Sequence, residues 1–383
     1  MAASPETRGK VRYGVVGAGW IAQAAFMPAV AGSGNSAMTA LVTGNPGKAS
    51  ALAQLYGMTH VVGYDRYDEL LGSGAVDAVY LALPNTMHCD YAVRAMNAGV
   101  HVLCEKPMAC NEQECRAMIA AAAASRVKLM VAYRLHFEPA TVGAIEAVQS
   151  GVIGEPRLFS ATFAYRVVAD NHRRRAELWA GPVPDLGPYP VNTARHAFEA
   201  EPIEAMATLA RTPPWRADKV VELVSVVLRF PGERLAVFTV GFGLELIDTY
   251  RVSGTSGDLE LDPAFGFGVG LRHRLRREQR TTAEQFAPVD QFAGEIRHFS
   301  ERILDGREPE PDGEEGLADV RVLSAIERAL ETGRAQPLET FVRGRPYKPG
   351  PVMRIPPVRP PALVNAAPPF GGVRPPSGKA GQT

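Results

Sequence analysis

Val11 to Ala22 constrains this chain more than any other stretch. It opens as an apolar run, Val11 to Val16, of the kind that forms a buried parallel strand. Gly17, Gly19 and Ala22 follow in the spacing G-x-G-x-x-A. Each small residue has a task where a dinucleotide binds. Gly17 permits a tight turn out of the strand, and Gly19 lets a pyrophosphate approach the backbone. Ala22 lets the next helix pack close to the sheet, with its N-terminal N–H groups aimed at the phosphates. An ordinary strand-to-helix turn can share this spacing. The flanking strand and the helix-like segment Ile21 to Ala31 supply the context that a dinucleotide site requires.

A chain of 383 residues is long enough for two domains. Lys+Arg and Asp+Glu are both 41, so the charge is balanced. That excludes the excess positive charge on which general nucleic-acid binding rests, and no nucleic-acid partner is expected. Met1 to Lys10 has no apolar signal core, and the most apolar helical run, Met118 to Ala124, is too short to span a bilayer. The expectation is a cytoplasmic protein with no membrane partner. Cys89, Cys104, Cys110 and Cys115 all fall in the first third, and none forms a C-x-x-C pair. His88 and His101 lie nearby, but reduced, packing cysteines are the expectation, and no metal is assigned.

Strands and helices then alternate. Met38 to Thr43, Ala75 to Leu83, His101 to Cys104 and Lys128 to Tyr133 read as strands. Ala49 to Tyr56, Asp65 to Leu71, Cys89 to Ala98 and Glu112 to Ser125 read as helices. This is the doubly wound parallel pattern. A dinucleotide domain normally carries an acid at the end of its second strand, for the ribose 2′-hydroxyl. Here Thr43-Gly44-Asn45-Pro46-Gly47-Lys48 stands there instead. A hydroxyl and an ammonium suit a 2′-phosphate, so NADP is expected over NAD.

The character changes after His136. Arg157 to Val168, Val220 to Phe230, Leu235 to Leu244, Thr249 to Gly254 and Asp258 to Leu261 read as longer strands, punctuated by Gly and Pro. They predict a mainly antiparallel sheet in a second domain. Tyr189 to Phe198, Gln291 to Leu304 and Glu315 to Thr332 read as helices. From Arg343 the chain is proline-rich and has no Asp or Glu, so it is either disordered or an extended arm lying on a neighbour. The division is thus 1–10 as a short leading segment, 11–135 as a Rossmann domain, 136–342 as an α+β domain and 343–383 as the tail.

Two stretches carry chemistry. Glu105-Lys106-Pro107 follows a strand, which puts Lys106 at the carboxyl end of the sheet, where open α/β folds bind ligands. Asp185-Leu186-Gly187-Pro188-Tyr189 precedes a helix. A tyrosine there can serve as the base that alcohol oxidation needs, if a cation lowers its pKa. By themselves, a loop lysine and a core tyrosine are equally ordinary readings. Two basic clusters, His172 to Arg175 and Arg272 to Arg277, suit either a phosphorylated sugar or salt bridges, the latter more readily for the second.

Taken in order, Gly17 to Ala22, Leu83-Pro84-Asn85 with His88, Glu105-Lys106-Pro107, Tyr133-Arg134 and Asp185 to Tyr189 resemble the glucose–fructose oxidoreductase, inositol dehydrogenase and rhizopine-catabolism (Gfo/Idh/MocA) family over roughly Val11 to Phe341. Ala40 to Asn45, Val102 to Ala109 and Gly313 to Gly316 are most similar to the glucose–fructose oxidoreductase branch, which also places a tyrosine at the position of Tyr189. The resemblance implies Lys106, Asp185 and Tyr189 as the catalytic set. It implies cofactor contacts at Gly17, Gly19, Trp20, Ile21, Ala22, Thr43, Gly44, Asn45, Lys48, Leu83, Pro84, Asn85, His88, Glu105, Lys106 and Arg134. Substrate contacts would be Lys106, His136, Arg174, Arg175, Asp185, Tyr189 and Asn192. The implied activity is NADP-dependent hydride transfer at C1 of a cyclic aldose, in a homodimer or homotetramer. A reductase of ketosugars or dicarbonyls and a non-catalytic NADP-sensing regulator are the alternatives.

Overall fold

The computed structural model describes residues 9–211, 222–345 and 352–370. Most of the leading segment, the start of the strand expected at Val220, and parts of the tail lie outside the described residues. The chain divides into two compact units. The first holds residues 1–137, 290–317 and 348–368; the second holds 138–289, 318–347 and 369–383. The first crossing, at Phe137, falls near the boundary drawn after residue 135. A contiguous division does not capture the later returns of the chain to the first unit.

The first unit is built on six parallel strands: β1 (Val11–Val16), β2 (Ser36–Val42), β3 (His60–Val62), β4 (Ala78–Leu81), β5 (His101–Glu105) and β6 (Leu129–Ala132). Their order is β3-β2-β1-β4-β5-β6, the doubly wound arrangement whose strand order reverses between β1 and β4. The helices are α1 (Met27–Ser33), α2 (Pro46–Tyr56), α3 (Tyr67–Gly72), α4 (His88–Asn97) and α5 (Glu112–Ser125). Their ends follow local chemistry. Asn45 caps α2 by accepting from the Lys48 N–H at 2.9 Å, Pro46 opens it, and Gly57 closes it at φ +68°. Tyr13, Phe26 and Tyr80 fill the core beside β1, with the Phe26 and Tyr80 rings stacked 3.7 Å apart.

The helix expected over Ile21 to Ala31 differs in form. Residues Ala22–Phe26 make a wider π turn, in which the Met27 N–H bonds the Ala22 carbonyl, before α1 begins. Pro28 supplies the reason: it has no N–H for the carbonyl four residues back, and the wider turn accommodates that loss.

The second unit begins with α6 (Pro139–Gln149) and β7 (Pro156–Ala164), followed by α7 (Pro182–Leu186) and α8 (Pro188–Phe198). Then come β8 (Glu204–Ala210), β9 (Leu223–Phe230), β10 (Arg234–Gly241), β11 (Ile247–Gly254), β12 (Gly257–Leu261), β13 (Arg272–Arg277) and β14 (Arg280–Gln285). The remaining elements are α9 (Gln291–Asp305), α10 (Gly313–Thr332) and the short β15 (Gln336–Pro337). The nine strands run β14-β13-β12-β11-β7-β10-β9-β8-β15. All pairs are antiparallel except β7 with β10. Sequence reading had not marked α6, β8, β13 or β14. The Arg272 to Arg277 cluster is strand β13, and its charges are paired, Arg274 with Glu260 at 2.6 Å and Arg276 with Asp258 at 3.0 Å.

This sheet is one-sided. Phe159, Phe238, Val226 and Leu228 point to its buried face. Leu158, Leu235, Val237 and Met206 are exposed, and the pairings Leu158 with Leu235 and Met206 with Val227 set them on the opposite face.

Residues 352–370 of the tail form an extended arm with contacts to its own chain. In the first unit, the Gln23 side-chain amide grips Val364, donating to its carbonyl at 3.0 Å and accepting from its N–H at 2.8 Å. The Asp290 N–H donates to the Ile355 carbonyl at 2.7 Å. In the second unit, the Val168 N–H donates to the Pro369 carbonyl at 2.9 Å, and Phe370 bridges to Val167. Carbonyls carry most of these bonds, as a segment short of N–H groups requires.

Candidate active site

In the first unit, the loop after β1 lies at the point where strand order reverses. Gly17 sits at φ +91°, and a Cβ there would lie 2.4 Å from the Ala82 carbonyl. No other residue fits. Gly19 is the opposite case, with nothing within 4 Å of the place its Cβ would take. The backbone there is open to a ligand, while Ala22 is fully buried against the sheet. The loop after β2 reaches the same place: the Lys48 ammonium donates to the Ala18 carbonyl at 3.1 Å, and so does the Gln23 amide at 2.8 Å. Burial lowers the Lys48 pKa. Thr43 is buried and Gly44 and Asn45 are exposed beside it. No acid follows β2. Open backbone, a cation and no carboxylate at this point fit a dinucleotide that carries a 2′-phosphate.

The loops after β4 and β5 are tied to each other. His88 at the start of α4 is fully buried, with Nδ1 2.9 Å from the Pro107 carbonyl and Nε2 3.0 Å from the Leu83 carbonyl. The ring therefore lies between Leu83-Pro84-Asn85 and Glu105-Lys106-Pro107, within hydrogen-bond distance of a carbonyl in each loop. Desolvation lowers its pKa. Tyr80 donates to Glu105 Oε1 at 2.5 Å, and desolvation raises the Glu105 carboxyl. Lys106 is half-buried beside it. Arg134 is buried and donates to Gln291 at 2.5 Å. His136 is buried and stacks on Tyr133 at 5.6 Å. Glu295 on α9 was not anticipated. It is fully buried, neither oxygen receives a hydrogen bond among the described residues, and desolvation raises its carboxyl well above the usual range.

In the second unit, α7 and α8 present two side chains. Between Gly181 and Phe198, every residue is buried except Asp185 and Tyr189, which are half-exposed and four apart. Gly187 permits the tight junction between the helices, since a Cβ there would lie 2.3 Å from the Val183 carbonyl. Asp185 Oδ2 accepts from the Tyr165 hydroxyl at 2.9 Å and pairs with Arg173 at 3.3 Å. Desolvation raises the Tyr165 phenol far above its ordinary value, so it remains a donor. Burial opposes the Arg173 charge, but Asp185 and the nearby tyrosines together more than offset it, and its pKa is raised. The Tyr189 ring meets Phe163 edge-on at 5.2 Å.

The flanking residues distribute differently from expectation. Within the cluster His172 to Arg175, Arg173 is the one that reaches Asp185. Arg174 is buried toward Glu222, 3.6 Å away, and Arg175 is exposed. Asn192 turns onto Asp319 of α10 at 3.1 Å, beside the buried Arg195–Asp319 pair at 2.5 Å. Arg173 and Tyr165 are the site residues that sequence reading missed. The basic cluster was the one available signal for the former; Tyr165, just past β7, had none.

A dinucleotide-binding parallel sheet and a one-sided sheet unit that presents an acid and a tyrosine define a two-unit oxidoreductase. Residues 11–133 match the model of the oxidoreductase family with an NAD-binding Rossmann fold, and residues 142–260 match the GFO/IDH/MocA C-terminal domain. The chain belongs to the Gfo/Idh/MocA family. It is 32% identical over 333 residues to the D-xylose 1-dehydrogenase [NADP(+)] of Haloarcula marismortui, covering 85% of this chain and 92% of that one. The crystal structure of aldose-aldose oxidoreductase from Caulobacter crescentus, complexed with glycerol, superposes with a TM-score of 0.81 at 34% identity. That match covers 86% of this chain and all of the other. A 3-ketoreductase from Actinomadura kijaniata, in complex with NADP and TDP-benzene, matches at 27% identity and a TM-score of 0.77, covering 84% of this chain and 98% of that one. Among the described residues, no helix is long and apolar enough to cross a membrane.

Proposed function

We propose that this protein is an NADP-dependent oxidoreductase of sugars that acts at C1 of a cyclic aldose. The observation that carries the reading is the pair Asp185 and Tyr189, the only residues left open along an otherwise buried helical run. The relatives named for D-xylose and aldose oxidation support the substrate class, and the Lys48 loop supports NADP.

Gly17, Gly19 and Ala22 would hold the dinucleotide's pyrophosphate, and Thr43 and Lys48 its 2′-phosphate. The nicotinamide, when bound, supplies the acceptor or donor of hydride. Tyr189 exchanges a proton with the sugar hydroxyl. Asp185, fixed by Tyr165 and Arg173, orients the sugar by accepting from its hydroxyls. Lys106 donates to the reacting oxygen and stabilises charge that develops there. Glu105, held by Tyr80, sets the backbone that presents Lys106.

Reduction of a ketosugar by the same groups is the second reading, favoured by the similarity to the 3-ketoreductase. A non-catalytic NADP sensor has no use for both Lys106 and Tyr189. The exposed apolar face of the nine-stranded sheet suits a second copy of the chain, so the enzyme acts as a homodimer or homotetramer. All four cysteines are free, which suits the cytoplasm.

The deciding experiment follows nicotinamide absorbance with NADP⁺ and a panel of pentoses and hexoses, and with NADPH and ketosugars. Aldose-dependent reduction of NADP⁺ is the expected result. Turnover only with ketosugars would move the assignment to a reductase, and tight NADP binding without any turnover would move it to a sensor.

A further inference from the structure

The arm of residues 352–370 ends beside the partners of Asp185. Phe370 sets its ring at 88° to that of Tyr165, with centroids 5.7 Å apart. Phe163 and Phe242 hold the same tyrosine at 5.9 and 6.0 Å, and both belong to the sheet or its immediate continuation. Phe370 is the aromatic neighbour supplied from the distant end of the chain. The bond from the Val168 N–H to the Pro369 carbonyl and the bridge from Phe370 to Val167 fasten the arm to the strand end that leads into the loop of Arg173. The arm thus touches the chain at both places that aim the partners of Asp185: the ring that carries the Tyr165 hydroxyl and the backbone that leads to the Arg173 guanidinium.

We propose that Phe370 is a positioning residue for the sugar, acting through Tyr165 on Asp185. This rests on the sugar reading above. An edge-to-face aromatic contact restrains the ring, and a restrained ring restrains the direction of its hydroxyl. The Tyr165 oxygen is then held within hydrogen-bond distance of Asp185 Oδ2, 2.9 Å away. Without Phe370 that side of Tyr165 opens to water, and water competes for the carboxylate. The sugar loses a fixed acceptor while the dinucleotide loops, built from other residues, keep theirs. The inference also assigns a task to a segment outside both family-model matches, which end at residue 260.

The test compares Phe370→Ala, Phe370→Tyr and a chain stopped after Phe370 with the full-length protein. Phe370→Ala is expected to raise the sugar KM about tenfold, with kcat changed far less and NADP affinity and thermal midpoint unchanged. Phe370→Tyr keeps the ring edge and restores KM to within about twofold. The chain stopped after Phe370 behaves as full length. A wild-type KM in Phe370→Ala, or a defect that Phe370→Tyr leaves unrescued, overturns the proposal. Failure of the full-length chain to turn over any sugar counts against the sugar reading itself. Hydrogen exchange of the peptide 163–175 then decides the positioning: faster exchange in Phe370→Ala than in Phe370→Tyr supports it, and equal exchange overturns it.

Discussion

Replacing Lys48 with alanine separates the two nicotinamide dinucleotides. In the protein without ligand, the ammonium has the Ala18 carbonyl at 3.1 Å and has lost part of its hydration, which lowers its pKa. A 2′-phosphate would return to it the charge that burial withholds. A hydrogen bond to a charged group contributes about 1.5–3 kcal/mol. Its removal should therefore weaken NADP binding roughly 10- to 150-fold. NAD has no phosphate at that position, and its Kd should move about twofold or less. Trp20, next to Gly19, provides a fluorescence signal for both titrations. The pH dependence has a definite sign. Bound phosphate raises the Lys48 pKa above its value in the free protein, so NADP binding takes up a proton once the free lysine has begun to lose its own. NADP affinity should fall as pH rises through that lowered pKa, and NAD affinity should not follow it. Equal losses for both dinucleotides in Lys48→Ala, or a wild-type preference for NAD, would refute the reasoning.

Tyr189→Phe keeps the ring that meets Phe163 and removes the oxygen proposed to exchange the proton, so folding and NADP binding should survive while kcat drops about 10²–10⁴-fold; near-normal turnover would make Tyr189 a packing aromatic. Lys106→Ala should be at least as damaging in single-turnover rates, because it removes the charge proposed to stabilise the reacting oxygen. His298 is buried, its Nε2 accepts from the Glu310 N–H at 3.3 Å, and desolvation pushes its pKa down to about 4. Below about pH 6.5 the unfolded chain binds a proton that the folded one refuses, so stability falls as pH drops toward 4, by about 3 kcal/mol for this group. Urea midpoints should therefore fall less with acid in His298→Leu than in the wild type, and parallel curves would exclude the effect. If the proposed oligomer forms through the exposed sheet face, Val237→Lys should reduce the sedimentation mass to that of a monomer; an unchanged mass would exclude that face as the subunit contact.

The first unit was legible because its elements are local. An apolar run, a glycine turn and a capped helix each announce themselves over a few residues, and the parallel order follows from their alternation. What escaped depended on distant partners. β13 reads as a basic cluster until Asp258 and Glu260 on β12 neutralise it. β8 carries the small residues Ala205, Ala207 and Ala210, whose strand form depends on pairing with β9. Of the residues proposed for catalysis, Lys106, Asp185 and Tyr189 stand in marked motifs. Arg173 is singled out from Arg174 and Arg175 only by where the loop after β7 turns. The tail's composition showed that it lacks a core of its own and left open what it would lie on; Gln23 and Tyr165 are the answer.

The place of β7 in its sheet bears on the order in which the second unit assembles. β10 and β11 follow one another in the chain with a short connection, yet they do not pair; β7 lies between them. The strands β8, β9 and β10 pair with their chain neighbours, and so do β11 to β14. Each group can form from local contacts, which close quickly. The pairing of β7 with β10, Leu158 opposite Leu235, spans a long loop that must be closed at an entropic cost. β7 is therefore expected to enter last as a wedge, and Tyr165 follows directly behind it in the chain. The hydroxyl that bonds Asp185 would arrive with that final step, so during refolding catalytic activity should return after the circular-dichroism signal of the sheet rather than with it.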